Sequence, residues 1–300
     1  MAQSRATSTR SRLPTNANIV DLDDFTESIN MLVYGDSGSG KTVLAGTANE
    51  KMLILATEHG LIAAKRQGSR AKGWRCDTWS DIDKAYKWIK DHPNHGFDWV
   101  CIDSLSEFQQ HMLRWILDQA MAENASRDPD IPAIQDHQKW QNMYKRYVRA
   151  FNALPVNMLY TATAFRKEDE EGEDLILPDI LGKDYGISQW TCASMHIVSY
   201  LSVRRKKDTR EEFRRLLAKR TGPYFGKDRY NVLVPYVDNP TMPEITARIN
   251  NKPRPKKAPA KATPTRSVAR KAAPAKATPV RPRKAPATAT RRTPTRKATP

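Results

Sequence analysis

The sequence predicts an α/β fold built on a largely parallel β-sheet. Between residues 18 and 250, short apolar runs alternate with segments of helical periodicity, which is the pattern of a parallel sheet covered by helices. A glycine-rich loop at 35–42 directly follows the first apolar run. Residues 251–300 contain almost no large apolar side chains, so we expect the folded part of the chain to end near residue 250.

Four apolar runs predict the core strands. They are INMLVY at 29–34, KMLILAT at 51–57, DWVCID at 98–103 and VNMLYTATA at 156–164. None of them alternates polar with apolar residues, as expected of strands that are buried on both faces. We therefore place all four in the interior of the sheet.

The segments between these strands predict helices. In DIDKAYKWIKDH at 81–92, the residues Ile82, Ala85 and Ile89 fall on one side. Two more sets recur at helical spacing: Phe108, Met112, Ile116 and Ala120, and then Trp140, Tyr144, Tyr147, Val148 and Phe151. The aromatic stripe of the last set indicates a core-facing surface or, as the less favoured alternative, a surface for stacking bases.

The pattern changes after residue 165. RKEDEEGEDL is polar, acidic and centred on a glycine, which predicts the tip of a β-hairpin. MHIVSYLSV and EFRRLLAKR flank RRKKDTR and predict a second hairpin. The parallel sheet is therefore expected to be extended by antiparallel strands.

The positive charge of the chain is concentrated at one end. The formal net charge is +17, and residues 251–300 hold 16 Lys or Arg and no Asp or Glu, which leaves +1 for residues 1–250. The sequence thus predicts a disordered leader at 1–17, a folded domain at 18–250 and a disordered Lys/Arg/Ala/Pro-rich tail at 251–300. Such a tail neutralises phosphates without reading sequence, and nucleic acid, either DNA or RNA, is its favoured partner over acidic lipid or acidic protein.

The spacing of the cysteines and the hydropathy of the chain indicate the cellular compartment of the protein. Cys76, Cys101 and Cys192 are far apart and show no paired spacing, which argues against a disulfide framework and suits a reducing compartment. No apolar stretch approaches the roughly 20 residues that span a bilayer. We expect a cytoplasmic protein that does not enter a membrane.

The glycine-rich loop fits the P-loop pattern G-x-x-x-x-G-K-[ST]. Its eight residues are Gly35, Asp36, Ser37, Gly38, Ser39, Gly40, Lys41 and Thr42. The glycines allow backbone N–H groups to point inward at phosphate oxygens, aided by the positive end of the following helix. Lys41 is expected to reach the β- and γ-phosphates of ATP, and the Thr42 hydroxyl is expected to ligate Mg²⁺.

A second metal anchor and a catalytic base are expected at the ends of other strands. DWVCID ends in Asp103, which matches the Walker B carboxylate that holds Mg²⁺. Hydrolysis also needs a group that orients the attacking water. Glu58, after the second strand, and Glu107, one helical turn after Asp103, both suit this role, and the residues alone do not choose between them.

Two motifs resemble RecA-type recombinases. TEHGL at 57–61 looks like the Ala-Glu-His-Ala-Leu run of that family, and VCIDSLSEF is similar to its Asp-Ser Walker B strand. Two shorter pieces, LPDILGK and YFGKDRY, resemble elements of phage-encoded RecA-like ATPases that are proposed to act with single-strand annealing proteins. The resemblance covers residues 29–165 and implies that the domain at 18–250 has a RecA-like P-loop NTPase core.

The resemblance also implies roles for individual residues. It favours Glu58 over Glu107 as the base, because the glutamate after the second strand activates water in that family. A polar residue on the fourth strand senses the γ-phosphate there, and Thr161 and Thr163 hold the matching positions here. A cation from a neighbouring subunit stabilises developing charge, for which Lys227 and Arg229 in YFGKDRY are the candidates.

The function implied by the resemblance is ATP hydrolysis coupled to single-stranded DNA in phage recombination or replication. It also implies a homo-oligomer, ring or filament, in the host cytoplasm, and a single-strand annealing or binding protein as a partner. The loops after the fourth strand bind DNA in RecA, whereas that region here reads KEDEEGED and is acidic. Two alternatives remain: a non-catalytic, ATP-regulated DNA-binding or annealing protein, and another P-loop enzyme such as a helicase loader or a small-molecule kinase.

Overall fold

The structure is a computed structural model that describes residues 28–168, 171–182, 186–233 and 235–250. The predicted leader and the predicted tail lie outside the described residues. The strands are β1 (Asn30–Gly35), β2 (Met52–Ala56), β3 (Lys72–Arg75), β4 (Trp99–Asp103), β5 (Asn157–Glu168), β6 (Asp174–Pro178), β7 (Ile197–Arg205), β8 (Glu212–Leu217), β9 (Lys227–Asp228) and β10 (Tyr236–Asp238). The helices are α1 (Lys41–Gly46), α2 (Leu61–Arg66), α3 (Trp79–Asp91), α4 (Leu105–Glu123), α5 (Ile134–Asn152), α6 (Gly186–Ser194) and α7 (Met242–Asn250).

The strands form one mixed sheet. Its main path runs in the order β10-β8-β7-β1-β5-β4-β2-β3, while β6 pairs with β5 and β9 pairs with β7. The six strands β7, β1, β5, β4, β2 and β3 are parallel. Strands β6, β8, β9 and β10 join in antiparallel pairs. The predicted fold class, a largely parallel sheet extended by antiparallel strands, is confirmed.

Helices cover both faces of the sheet, because side chains of the inner strands alternate between two apolar clusters. Leu32 and Tyr34 of β1 enter the cluster formed with α3, α4, α5 and α6. Met31 and Val33 enter the opposite cluster, formed with α1 and α7. The aromatic stripe of α5 belongs to the first cluster, with Trp140, Tyr144 and Phe151 buried, so the core-facing interpretation of that stripe is confirmed.

Both predicted hairpins are present, and they carry opposite charge. The β5–β6 hairpin pairs Glu168 with Asp174, and the β7–β8 hairpin pairs Arg205 with Glu212. By sequence, residues 166–174 contain six acids and two bases, whereas residues 203–215 contain seven bases and three acids. Because β5 and β7 are both parallel neighbours of β1, the two hairpins extend from the same edge of the sheet.

No helix in the described ranges is long and apolar enough to cross a bilayer.

Candidate nucleotide-binding site

The glycine-rich loop connects the central strand to the first helix. Gly35 ends β1, and a Cβ at this position would lie 2.3 Å from the carbonyl oxygen of Leu201, so the close approach of β7 requires glycine. Gly40 has a φ of +100°, which disfavours any residue with a side chain. These two requirements explain why glycine stands at both fixed positions of the motif.

Lys41 begins α1, and its side chain is buried under the loop. Its ammonium group donates hydrogen bonds to the carbonyl oxygens of Gly35 at 2.8 Å and Asp36 at 3.0 Å. Burial lowers the pKa of Lys41, and the carboxylates of Asp103, Glu58 and Asp36 oppose that change. The loop therefore contains a buried cation whose hydrogen bonds go to neutral carbonyls, which is an electrostatic setting suited to an anion.

Asp103 is the carboxylate at the centre of the site. It ends β4 and is only 2 % exposed. Thr42 Oγ1 donates a hydrogen bond to its Oδ2 at 2.7 Å, and the hydroxyl of Thr161 donates one to its Oδ1. Strand β5 lies between β1 and β4, which brings Thr161 from the intervening strand into this contact. The structure thus joins Thr42, Asp103 and Thr161, and the contact made by Thr161 is with the carboxylate expected to hold the metal.

Glu58 reaches the same edge from strand β2. The N–H of the preceding residue, Thr57, donates to the carbonyl of Asp103 at 3.0 Å, and the Thr57 hydroxyl donates to the carbonyl of Ser104 at 2.9 Å. Glu58 is exposed at the surface, but neighbouring groups partly desolvate its carboxyl group. This desolvation and the carboxylates of Asp103 and Glu107 raise the pKa of Glu58, while Lys41 opposes the rise. A carboxylate whose proton affinity is increased in this way suits a general base.

Glu107 lies in the first turn of α4. The Ser104 side chain caps this helix, accepting a hydrogen bond from the Glu107 N–H at 3.4 Å. Glu107 is close enough to affect the pKa of Glu58. Both glutamates thus belong to one cluster of charges, and the assignment of the base to Glu58 remains a prediction.

Thr163 lies one strand repeat beyond Thr161 and has different partners. Its hydroxyl is 2.9 Å from Ser106 Oγ and 3.4 Å from Asp179 Oδ2. Asp179, which follows β6, returns a backbone N–H bond to the Thr163 carbonyl at 2.8 Å. Thr163 therefore links β5 to α4 and to the segment after β6, and its role as a γ-phosphate sensor remains a prediction.

The predicted trans-acting cations have contacts within their own chain. The Lys227 ammonium donates to the carbonyls of Cys192, Ala193 and Met195, at 3.1, 2.9 and 2.6 Å, near the carboxyl end of α6. Arg229 donates to the carbonyl of Ala193 at 3.3 Å. Burial and the neighbouring Arg229 lower the pKa of Lys227. The trans role of both residues remains a prediction, and it would require Lys227 to leave three acceptors.

Two contacts of the site were not predicted from the sequence. Tyr200 on β7 donates a hydrogen bond from its hydroxyl to Asp36 Oδ2 at 3.2 Å and stacks on Tyr224. Arg214 of β8 packs against Gly40. Both depend on how β7 and β8 align with β1, and the sequence carries no local signal for that alignment. Ser39, which the P-loop motif includes, is 3 % exposed, and its hydroxyl has no hydrogen-bond partner among the described residues.

Cavities lie at both ends of the parallel strands. At the carboxyl ends, one of about 350 Å³ borders Asp36, Ser39 and Tyr200 beside the P-loop, and one of about 250 Å³ borders Glu58. At the amino ends lies a cavity of about 930 Å³, where Ser28 and Asn250 adjoin residues outside the described ranges. We place the site at the P-loop edge because the buried cation and the carboxylates converge there.

The donor set fits a nucleotide with Mg²⁺. The buried Lys41 ammonium and the unpartnered Ser39 hydroxyl suit phosphate oxygens. The Thr42 hydroxyl and the Asp103 carboxylate are hard oxygen ligands of the kind that Mg²⁺ takes alongside phosphates and water. No cluster of three or more His, Cys, Asp or Glu suited to a metal occurs in the described part of the chain.

Comparison with known proteins gives one family match and several similar structures. A family model described as an AAA domain matches residues 27–230. The comparison with curated proteins gave no match. Among solved structures, the chain is similar to a KaiC-like protein from the hyperthermophilic archaeon Pyrococcus horikoshii, with 15 % identity and a TM-score of 0.40 over 66 % of this chain and 81 % of that one. It is also similar to the flagellar accessory protein FlaH from Methanocaldococcus jannaschii, with 10 % identity and a TM-score of 0.34 over 71 % and 84 %.

Proposed function

The chain belongs to the AAA domain family, and from this premise we propose that it hydrolyses ATP with Mg²⁺ and acts on single-stranded DNA in phage recombination or replication. The observation that carries the ATPase part is the buried Asp103 carboxylate, which receives hydroxyl bonds from Thr42 and Thr161 beside the P-loop. This is where a Walker B carboxylate must lie to share a metal with the P-loop threonine.

Each residue of the site has a defined task in this proposal. The backbone amides of 35–42 and the Lys41 ammonium bind the phosphates, and Thr42 and Asp103 hold Mg²⁺. When bound, the metal neutralises charge on the phosphate oxygens. Glu58 accepts the proton of the attacking water, aided by its raised pKa, with Glu107 as the alternative base.

Charge supports the DNA part of the proposal. Residues 251–300 carry 16 cations without an acid, and the β7–β8 hairpin adds a basic surface at the P-loop edge. Contacts of this kind release counterions and bind any sequence. A homo-oligomer, with Lys227 and Arg229 at the subunit boundary, and a single-strand annealing or binding partner complete the proposal, supported by the resemblance to phage-encoded RecA-like ATPases.

Nucleotide binding and turnover test the proposal. Direct titration of the full chain with ATP should show Mg²⁺-dependent binding, and Lys41→Ala should abolish it. ATP hydrolysis should be measured without nucleic acid, with single-stranded DNA and with duplex DNA, and we expect the largest rate with single strands.

Other outcomes would select the alternatives. Equal turnover with and without DNA would indicate another P-loop enzyme, such as a helicase loader or a kinase. ATP binding without hydrolysis, together with retained DNA annealing, would indicate an ATP-regulated DNA-binding or annealing protein. No Mg²⁺-dependent affinity for ATP would refute the ATPase proposal as a whole.

A further inference from the structure

Arg214 of β8 lies directly against the P-loop. An ideal Cβ built on Gly40 would be 2.5 Å from Arg214 Nε, 3.0 Å from its Cδ and 3.5 Å from its Cζ. The missing side chain of Gly40 therefore provides the space that the guanidinium group occupies. Glycine at this position serves the loop conformation and also admits a cation from a strand two places away in the sheet.

The backbone of Arg214 is fixed from outside the P-loop. Its N–H donates to Asn239 Oδ1 at 3.0 Å, and the Asn239 N–H donates back to the Arg214 carbonyl at 2.7 Å. The neighbouring Arg215 binds both carboxylate oxygens of Asp238, at 2.6 and 2.7 Å, and its guanidinium stacks on Tyr236. Successive side chains of a strand point to opposite faces of the sheet. The contact of Arg215 with Asp238 on one face therefore orients Arg214 to the other face, towards the P-loop.

Arg214 is exposed on β8, and no acidic side chain among the described residues forms an ion pair with it. Arg205, Lys206 and Arg215 of the same hairpin each form an ion pair with an acidic side chain. The Arg214 side chain, in contrast, has no hydrogen-bond or ion-pair partner among the described residues. It adjoins a loop that already contains the buried Lys41 ammonium and the buried, unpartnered hydroxyl of Ser39. Arg214 therefore adds a second cation to a loop whose neighbouring carboxylates are Asp36, Glu58 and Asp103, and its guanidinium is available to donate hydrogen bonds to an anion.

We propose that Arg214 binds a phosphate group of the nucleotide in cis, as the second cation of the P-loop site. The inference rests on the proposed function, because it assigns a residue to the same nucleotide. A guanidinium can donate two parallel hydrogen bonds to one phosphate, which an ammonium cannot do. Arg214 therefore favours nucleotides with more phosphate charge, and it makes the β7–β8 hairpin part of the nucleotide site.

Nucleotide titration of the full chain tests the assignment without relying on turnover. The affinities for ATP, ADP and AMP, each with Mg²⁺, should be measured by calorimetry for the wild type, Arg214→Ala and Arg214→Lys. We expect Arg214→Ala to weaken ATP binding about 10-fold or more, the effect to decrease from ATP to AMP, and Arg214→Lys to recover part of the loss. Lys207→Ala removes a cation from the turn of the same hairpin and should leave all three affinities unchanged.

The possible results separate this inference from the proposed function. An unchanged ATP affinity in a folded Arg214→Ala protein, checked by circular dichroism, overturns the inference and leaves the ATPase proposal intact. An equal loss in Lys207→Ala also overturns it, because the effect would then come from the charge of the hairpin as a whole. A wild-type chain that binds no nucleotide refutes the proposed function itself.

Discussion

The Glu58 carboxyl group experiences three other charges of the site, and this makes it the most informative residue to change. Glu58→Gln keeps the shape of the side chain but cannot accept a proton. We expect ATP binding to persist and hydrolysis to fall by at least about 100-fold, the usual lower range for loss of a general base. Glu107→Gln is the matched control. If Glu107→Gln abolishes hydrolysis and Glu58→Gln does not, the base is Glu107.

The same substitution has a predicted effect on stability. The pKa of Glu58 is raised in the folded protein by partial desolvation and by Asp103 and Glu107, so its ionised form is less favourable in the folded state than in the unfolded state. This disadvantage is absent below the unfolded pKa and grows as the pH rises through the folded pKa. Glu58→Gln should therefore raise Tm at pH 7.5 and leave it unchanged near pH 3.5, measured without nucleotide. A lower Tm at pH 7.5 would show that the carboxylate is stabilising.

Thr161 and Thr163 provide a second residue-scale test, since they lie on one strand but contact different groups. Thr161→Val removes the hydroxyl that donates a hydrogen bond to Asp103 and nearly preserves the shape of the side chain. Thr163→Val likewise removes the hydroxyl that contacts Ser106 and Asp179. We expect Thr161→Val to raise the Mg²⁺ concentration needed for half-maximal ATP binding by about 10-fold, as for loss of a partner that orients a metal ligand. Thr163→Val should not. Equal Mg²⁺ curves for the two variants would contradict the positioning role of Thr161.

The parts of the candidate site that could be predicted from the sequence are those set by residues close together along the chain. The P-loop residues and Asp103 follow from a motif and from a strand end, both of which are readable along the chain. The bond from Thr161 to Asp103 and the packing of Arg214 on Gly40 depend instead on which strands are neighbours in the sheet. EFRRLLAKR contains several similar arginines, and only the alignment of β8 with its neighbours distinguishes Arg214 from Arg215.

At the scale of elements, helix α6 is held at its carboxyl end by Lys227 from β9. Three carbonyls there accept hydrogen bonds from one partly buried ammonium. The positive charge of this ammonium also interacts favourably with the negative end of the helix dipole. We expect Lys227→Met to lower the free energy of unfolding by on the order of 1–2 kcal/mol and Tm by about 2–4 °C per kcal/mol, measured by thermal denaturation. Arg229→Met, which loses one longer bond, is the control and should cost less.

This element-scale result also separates two roles of Lys227. A variant that loses ATPase activity with unchanged stability would indicate the trans-acting cation predicted from the sequence. A variant that loses stability, with ATPase activity recovered at lower temperature, would indicate the cap of α6.

Strands were predicted correctly where burial imposes an apolar pattern on the sequence. All four apolar runs became inner strands, with ends shifted by a few residues, and β5 continues to Glu168 because it forms the hairpin with β6. Strand β3 was not predicted, because Lys72–Arg75 is short, polar and at the edge of the sheet, so it has no apolar run. Strand β9 has two residues, too few for any period to be seen.

At the scale of the whole molecule, the carboxyl ends of the parallel strands bring the P-loop, Glu58, Asp103 and both hairpins to one edge of the sheet. The acidic hairpin follows β5, where RecA resemblance places the DNA loops, and the basic hairpin follows β7. Nucleic acid that approaches this edge would therefore meet its favourable charges on the β7 side. The tail supplies most of the net charge, and its effect on DNA should be separable from that of the hairpin.

Truncation after Asn250 tests this separation, because it removes 16 cations and leaves every described strand and helix in the chain. Affinity for a single-stranded oligonucleotide should be measured by fluorescence anisotropy over a series of KCl concentrations. Each phosphate that a protein neutralises adds about 0.7 to the slope of log K against log salt for single strands. We expect the truncated chain to bind more weakly, with a salt slope several units shallower. A control chain, whose tail has the same composition in shuffled order, should match the wild type. Because counterion release depends on charge number and not on order, a shuffled tail that fails to restore binding would contradict the electrostatic account and indicate recognition of a specific tail sequence.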